Sequence, residues 1–328
     1  MSGPHPSDSP LRAVAAGEHA TEAFERLSDE TRLAILVALW ERYEPFDAGD
    51  PVRFSELRDR VGTPDSGRFS YHLDRLEGHF VESVDGGYRL SEAGLVFVRS
   101  VIAGAGIDDP TLEPSEVDQA CTLCGASVEV AYEDGWVHVR CTECEGLWGD
   151  GGDDERDGPD GQLAMFSLHP TGLVGRTPAE LYAAAWVTTF QKLYSMIEGV
   201  CPTCTGRVER SLEVCDDHDP DGGCANCGRR TRTVGRLHCP VCKEWVQTTI
   251  GGVAKYHPRV VGFCYDHGLE LQYGFNDLAD IRERLERAGS DVELLSVDPP
   301  RVRVTTELDG DQAWLELDED LTVVDVGD

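Results

Sequence analysis

The stretch that decides the fold is residues 121–144, which read CTLCGASVEVAYEDGWVHVRCTEC. Two Cys-x-x-Cys pairs enclose two short runs in which apolar and polar side chains alternate, and Asp134-Gly135 separates the runs. Alternation of this kind predicts two β-strands, and an Asp-Gly pair is typical of the tight turn of a hairpin. A hairpin brings both pairs to one end, where four thiolates can bind a tetrahedral metal ion, so we predict a zinc ribbon rather than a redox dithiol. Its four ligands are Cys121, Cys124, Cys141 and Cys144.

A longer cluster of cysteines, residues 201–242, repeats this pattern. Cys-x-x-Cys pairs again enclose two alternating runs, and four further ligand candidates lie between the runs. Nested pairing predicts two four-ligand sites, an outer and an inner one. The outer ligands are Cys201, Cys204, Cys239 and Cys242, and the inner ligands are Cys215, His218, Cys224 and Cys227. The alternative is sequential pairing, in which Cys201 and Cys204 share a metal ion with Cys224 and Cys227.

Cys264 and His267 also have the spacing of a ligand pair. The other 11 cysteines and His218 already supply enough ligands for three four-coordinate ions, and two further ligands do not complete a fourth. We therefore predict up to three structural Zn²⁺ ions and a small apolar role for Cys264. Closed thiolate-rich sites are structural, and we find no nucleophile–base pair, glycine-rich phosphate loop or paired carboxylate motif. The sequence does not predict an enzyme.

The composition predicts a soluble, very acidic protein, with 29 Lys and Arg against 61 Asp and Glu and a formal charge of −32. Such an excess excludes a general surface for polyanions, so any contact with nucleic acid must be local. Lysine is scarce, which with the many acidic residues indicates adaptation to a very salty cytosol; the lysines are Lys192, Lys243 and Lys255. No apolar run approaches the ~18–20 residues that span a bilayer, and Met1–Pro10 lacks the features of a secretory signal. We expect a cytoplasmic protein without membrane contact.

Residues 18–106 contain no cysteine and predict three helices, a β-hairpin and a last helix. The third helix begins near Ser66 and has an apolar stripe on one side. On the opposite side Arg68, Tyr71 and Arg75 fall within about 60° of each other on a helical wheel. This order of elements is that of a winged helix-turn-helix.

The same segment resembles the ArsR-like winged-helix regulators. The resemblance is carried by LSDETRLAIL (27–36), FSYHLDRL (69–76) and the hairpin up to Leu90. It implies that the third helix enters the major groove of DNA and that the hairpin meets the backbone or the minor groove. The positions that it places toward DNA are Ser66, Arg68, Ser70, Tyr71, His72, Arg75, Tyr88 and Arg89. Metal-sensing members carry thiols on the preceding helix, and Phe54–Val61 has none, so we do not expect arsenic- or cadmium-type sensing.

The layout after residue 120, including residues 257–268, is similar to that of ArsR-like regulators of halophilic archaea with zinc-ribbon tails. The resemblance implies a transcription regulator that binds double-stranded DNA as a homodimer, through the first and last helices of the segment. Three alternatives stay open. The winged helix could serve protein–protein contact, zinc occupancy at the His218 site could be sensed, or the chain could be a basal factor resembling initiation factor E that binds RNA polymerase.

We therefore predict an α+β chain, in which an N-terminal winged helix-turn-helix is followed by zinc-ribbon hairpins and a small C-terminal α+β region. The predicted segments are a disordered tail (1–17), the winged helix-turn-helix (18–106), a zinc ribbon (107–148), an acidic linker (149–162), a helix (163–199), a double zinc-binding hairpin (200–245), and helices with a β-meander (246–328).

Overall fold

The computed structural model describes residues 26–45, 51–104, 110–148, 161–219, 222–271 and 278–328. The chain divides into two compact units, Met1–Ile107 (unit 1) and Asp108–Asp328 (unit 2). The tail expected at 1–17, and all but the last two residues of the linker expected at 149–162, lie outside the described residues. Within those ranges, no helix is both long and apolar enough to cross a membrane.

Unit 1 consists of helices and one hairpin. In chain order the elements are α1 (Glu30–Trp40), α2 (Phe54–Val61), α3 (Ser66–Leu76), β1 (Val81–Val84), β2 (Gly87–Leu90) and α4 (Glu92–Ala103). The side chains of Asp29, Asp65 and Ser91 cap α1, α3 and α4 by accepting hydrogen bonds from first-turn N–H groups. Because those N–H groups have no partner inside the helix, the caps fix where each helix begins.

The core of unit 1 lies between its helices and the hairpin. The apolar stripe of α3, formed by Phe69, Leu73 and Leu76, is at most 1% exposed. At the start of α4, a Cβ on Gly94 would collide with the carbonyl oxygen of Phe80, so only glycine lets this helix approach the hairpin so closely. One face of α3 therefore packs in the core of unit 1, and the opposite face is exposed to solvent.

Unit 2 is built from three antiparallel sheets, so the predicted mixed α+β class is confirmed. The first sheet contains β3 (Leu112–Ala120), β4 (Ser127–Glu133), β5 (Trp136–Cys141) and β6 (Gln162–Ser167). The second contains β7 (Glu209–Val214), β8 (Thr233–His238) and β9 (Trp245–Thr248). The third is the expected meander and contains β10 (Ser290–Val297), β11 (Pro300–Leu308), β12 (Asp311–Leu317) and β13 (Val323–Gly327).

The first sheet is larger than the hairpin that the sequence predicts. The hairpin β4–β5 is present, with Val128 opposite Cys141, and β3 and β6 pair with its two sides. Beside β6, a Cβ on Gly146 would collide with the backbone of Gln162. The chain after Cys144 can therefore run directly against β6, and the sheet continues to Ser167, beyond the 107–148 range expected for the ribbon.

The helices of unit 2 are α5 (Pro178–Ile197), α6 (Ile250–Ala254), α7 (Pro258–Asp266) and α8 (Leu278–Arg287), and a 3₁₀ turn covers Pro170–Leu173. A capping box between Thr177 and Glu180 starts α5. Leu181 near its beginning is buried in the core of the first sheet, and Met196 near its end is buried in the core of the other two sheets. This helix therefore belongs to both hydrophobic cores of unit 2.

Candidate metal centres and nucleic-acid interface

Site 1 lies at one end of the first sheet and contains Cys121, Cys124, Cys141 and Cys144, whose sulfur atoms are all within 4.8 Å of one another. Cys121 follows β3 directly, and Cys141 is the last residue of β5. The Sγ atoms of Cys121 and Cys144 are 3.7 Å apart, and those of Cys124 and Cys141 are 3.4 Å apart. The hairpin thus brings the two pairs together in the way its sequence pattern predicts.

Site 2 lies at the base of the second sheet and contains Cys201, Cys204, Cys239 and Cys242. The Sγ–Sγ distances are 3.5 Å for Cys201 and Cys242 and 3.5 Å for Cys204 and Cys239. Cys201 and Cys239 are fully buried. These are the outer pairs of the cluster, so the structure groups the ligands in the nested way and not in the sequential one.

Site 3 lies at the other end of β7 and β8 and contains Cys215, His218, Cys224 and Cys227. The Nδ1 atom of His218 is 3.6 Å from the Sγ atom of Cys227. The Nε2 atom of the same ring is 3.2 Å from the carbonyl oxygen of Arg230, to which an Nε2–H can donate. This hydrogen bond leaves the lone pair of Nδ1 directed at the group, as in metal-binding histidines whose second ring nitrogen is held by a carbonyl.

The sulfur spacing fits tetrahedral metal ions. With metal–sulfur bonds of ~2.3 Å, tetrahedral geometry separates two ligand sulfurs by about 3.8 Å, close to the 3.4–3.7 Å found here. A disulfide requires a sulfur separation of about 2.05 Å, and all 12 cysteines are free. Each of the three groups could therefore hold a metal ion.

Four of the Cys-x-x-Cys turns share one backbone pattern. In each turn the N–H of the fifth residue donates to the carbonyl oxygen of the first cysteine, whose own N–H donates to the carbonyl oxygen of the sixth residue. The first cysteines of these turns are Cys121, Cys201, Cys224 and Cys239. The fifth residue has left-handed backbone angles; it is glycine in two turns, but Thr205 (φ 57°) and Lys243 (φ 67°) in the others. A side chain costs free energy in that conformation, so these two turns carry strain.

The thiols of site 1 show why a cation suits the group. Burial by itself raises the pKa of Cys141. Hydrogen bonds from the N–H groups of Cys144 and Glu143 together outweigh burial and lower the pKa to about 7. Burial and the neighbouring sulfurs raise the pKa of Cys144 to about 12. Four thiolates this close repel one another, and a bound cation would allow all of them to be ionised together.

The loop that follows site 1 is hydrogen-bonded to the segment that contains and follows the ligands of site 3. The Nε–H of Arg230 donates to the carbonyl oxygen of Gly146 at 2.8 Å, and its backbone N–H donates to that of Leu147 at 3.1 Å. The N–H of Gly223 also donates to the side chain of Glu145 at 3.2 Å. Hydrogen bonds therefore hold sites 1 and 3 next to each other. The residues that form these bonds are far apart in sequence, so no sequence pattern predicts this contact.

Residues 118–323 match the sequence family described as Domain of unknown function (DUF7351). This match covers more than half of the 328 residues. The chain belongs to the DUF7351 family. Residues 20–101 match a second family, Domain of unknown function (DUF7347). No match was found among curated proteins or among solved structures. All three candidate metal sites lie within the DUF7351 match.

Cys264 in this DUF7351 chain is not part of a metal group among the described residues. It is fully buried in the core, beside Val260 and Phe263. His267 instead lies against the carbonyl oxygen of Phe263 at 2.8 Å and the carboxylate of Asp311 at 3.2 Å. The small apolar role predicted for Cys264 agrees with this burial.

The residues predicted to face DNA lie mainly on the outer side of α3. Ser66, Arg68 and Arg75 are exposed, and Tyr71 is 55% exposed. The guanidinium carbon of Arg75 lies 5.6 Å from the centre of the Tyr71 ring, so the aromatic and the cation form one surface. Ser70 is half-buried.

The two hairpin positions, Tyr88 and Arg89, are less available for contact with DNA than those of α3. Arg89 is exposed but forms an ion pair with Glu82 at 3.0 Å across the hairpin. Tyr88 is half-buried, and its backbone pairs with that of Val52. Contact of Arg89 with a phosphate would have to compete with its carboxylate partner.

His72 is the position at which the predicted surface is wrong. Its side chain is 8% exposed, and its Nδ1 atom lies 3.3 Å from the Oδ1 atom of Asp29. Asp29 caps α1, so His72 faces the inside of unit 1, toward the start of that helix. On a helical wheel His72 borders the apolar stripe, and packing against α1 turns it inward.

Proposed function

We propose that the chain is a sequence-specific DNA-binding transcription regulator of the cytoplasm, with a winged helix-turn-helix in unit 1 and structural Zn²⁺ ions in unit 2. The observation that carries the proposal is the outward surface formed by Arg68, Tyr71 and Arg75 on α3. Arginine can donate two hydrogen bonds to a guanine edge in the major groove. The order of helices, hairpin and last helix supports the same docking geometry.

The distribution of charge supports a local interface. Residues 1–106 contain 11 basic and 18 acidic residues, against 18 and 43 in residues 107–328. The N-terminal part is thus the less acidic of the two per residue, and its α3 surface carries two arginines. A broad attraction between this chain and DNA is not expected, because the formal charge of the whole chain is −32.

High salt would make base contacts more important than phosphate contacts. At ~1 M salt the screening length is only about 3 Å. The affinity from phosphate contacts falls with salt with a log-log slope of about −0.9 per contact. A regulator in a salty cytosol therefore needs side chains that reach base edges, and Arg68, Tyr71 and Arg75 are the residues that we assign to this role.

Exposed aliphatic side chains support a homodimer. Leu33 and Val37, one turn apart on α1, are 38% and 46% exposed, and Val96 and Ile102 on α4 are 55% and 41% exposed. Pairing of two copies through these helices would bury these side chains and present two α3 surfaces to two half-sites.

The donor sets support Zn²⁺ as the metal. Sites 1 and 2 offer four thiolates each, and site 3 offers three thiolates and one imidazole, the sets typical of closed structural zinc sites. Ions bound in this way would add the free energy of metal binding to the stability of the folded hairpins. We assign them no catalytic step, since closed sites leave no open position for a substrate.

The test is genome-wide recovery of DNA bound to the full-length, metal-loaded protein at native salt. We expect a defined set of sites, and we expect the Arg68→Ala/Arg75→Ala double variant to lose them. Arg42→Ala is the matched control, because it removes an exposed arginine whose partner, Glu56, lies 3.7 Å away. If the double variant recovers the same sites as the wild type, the assignment of α3 is wrong. If the protein recovers no specific sites and co-purifies with RNA polymerase, the alternative resembling initiation factor E replaces the proposal.

A further inference from the structure

Unit 2 contains a cavity of about 440 Å³ between the first sheet, α5 and the second sheet. Pockets that hold small organic molecules typically measure ~300–1,000 Å³. The walls are mainly apolar and rich in aromatic rings, among them Trp136, Phe166, Trp186, Phe190, Trp245 and Tyr256. The cavity is therefore of a size and character that suit a small ligand with a hydrophobic body.

The aromatic walls are already packed against one another. The rings of Phe190 and Tyr256 are 4.4 Å apart, and the hydroxyl of Tyr256 donates to the carbonyl oxygen of Phe190 at 2.8 Å. Trp136 of the first sheet lies 5.8 Å from Trp245 of the second. A ligand would therefore enter a pre-formed site and would not need to order these side chains.

The charge of the cavity is opposite to that of the protein. The chain has 61 acidic residues, yet none of the described residues that line the cavity is Asp or Glu. It has three lysines, and two of them, Lys192 and Lys255, are in the lining. The cavity is thus a cationic spot in a strongly anionic molecule.

The two lysines differ in what neutralises them. The Nζ atom of Lys192 is 2.5 Å from the carboxylate of Glu244, so this lysine has a counter-charge. Lys255 follows α6 and is half-buried, and within the described ranges its side chain forms no hydrogen bond and no ion pair. Burial lowers the pKa of this ammonium, as expected for a cation without a counter-charge. Its electrostatic neighbour is the thiol of Cys264, and burial raises the pKa of that thiol and keeps it neutral. An ammonium that is partly withdrawn from water gains from an anionic partner, and Lys255 has none within the described ranges.

We propose that this cavity binds a small aromatic carboxylate, whose rings lie among the aromatic side chains and whose carboxylate pairs with Lys255. The inference does not rest on DNA binding, because the site is wholly within unit 2. If the chain is a transcription regulator, this ligand would be the signal to which unit 2 responds.

The experiment compares two probes that differ in charge but hardly in shape, 2-naphthoate and 2-naphthamide. Binding to the full-length, metal-loaded protein is measured by isothermal titration calorimetry and by quenching of tryptophan fluorescence, without DNA. We expect the wild type to bind 2-naphthoate at least about tenfold more tightly than 2-naphthamide, as one charge-assisted hydrogen bond provides.

Three variants locate the source of this preference. Lys255→Met keeps the length of the side chain without the charge, and we expect it to bind both probes equally. Lys255→Arg keeps the charge, and we expect it to retain the preference. Arg301→Gln is the charge control, because Arg301 is 49% exposed and does not line the cavity.

The outcomes separate the proposal from its rivals. Equal binding of the two probes by the wild type, or no binding of either, overturns the proposal, since neither result depends on a variant folding. A preference that persists in Lys255→Met also overturns it. Metal content and melting temperature are measured for each variant, so that loss of the fold is recognised separately.

Discussion

Two cysteines of unit 2 are equally buried but have different surroundings, and replacing each by alanine tests the metal sites. Cys239 and Cys264 are both 0% exposed. Cys239 belongs to site 2, where its Sγ atom is 3.5 Å from that of Cys204. Cys264 lies in the apolar core beside Val260 and Phe263. Burial alone therefore predicts the same effect for Cys239→Ala and Cys264→Ala, and metal binding predicts different ones.

The expected magnitudes follow from these surroundings. Cys264→Ala removes one buried sulfur, at a cost of about 1 kcal/mol, as for deletion of a buried methyl group. Binding of a structural zinc ion contributes ~10–16 kcal/mol through four ligands, so loss of one ligand costs about 3 kcal/mol or more. In a unit of this size 1 kcal/mol corresponds to about 2–4 °C. We expect the melting temperature to fall by about 2–4 °C for Cys264→Ala and about 6–12 °C for Cys239→Ala.

The assay combines elemental analysis with thermal unfolding of the full-length, reduced protein in molar KCl. We expect three zinc ions per chain in the wild type and in Cys264→Ala, and two in Cys239→Ala. The reasoning is refuted if Cys239→Ala keeps the metal content of the wild type, or if both variants lower the melting temperature equally.

Two further predictions concern the turns and the acid stability of unit 1. Thr205→Gly is expected to stabilise unit 2 by up to about 1 kcal/mol in urea unfolding, because Thr205 has left-handed backbone angles (φ 57°) that glycine adopts without strain. Thr203→Gly in the same turn is the control and should instead destabilise unit 2. Burial raises the pKa of Asp29, but the N–H of Arg32 and the ring of His72 lower it below its ordinary value of 3.8. A carboxylate with a lowered pKa stabilises the fold fully above its unfolded-state pKa and loses this contribution as the pH falls through the lowered folded-state pKa. The stability of wild-type unit 1 should therefore fall as the pH drops below 3.8, and Asp29→Asn should show a smaller fall.

The parts of the structure that the sequence predicts are those set by local pattern. Alternating side chains and an Asp-Gly turn are enough for the hairpin of site 1, since strands separated by a tight turn pair with each other. The same reasoning groups the outer and inner ligands of residues 201–242 as the structure does. Helix α3 follows from its apolar stripe, which Phe69, Leu73 and Leu76 form.

The parts that the sequence does not predict depend on contacts between distant residues. Strand β3 contains Pro114 and several acidic residues, so its alternation is weak, and its register shifts twice against β4. Strand β6 pairs with β5 although residues 149–161, which separate them in sequence, include no apolar residue. A segment of this composition predicts that the sheet ends before it. The inward position of His72 and the place of Lys255 in the wall of the cavity likewise follow from packing between elements, which no single stretch encodes.

The nested arrangement of sites 2 and 3 has a consequence for the order in which the two sites could bind metal ions during synthesis. Translation completes the inner ligand set at Cys227, when the outer set still lacks Cys239 and Cys242. If the inner set binds an ion at that stage, β7 can pair with β8, and this pairing brings the two halves of the outer set side by side. Most of the entropy cost of closing the segment between Cys204 and Cys239 would then already have been met. Synthesis thus completes the ligand set at the tip of the hairpin before it completes the set at the base.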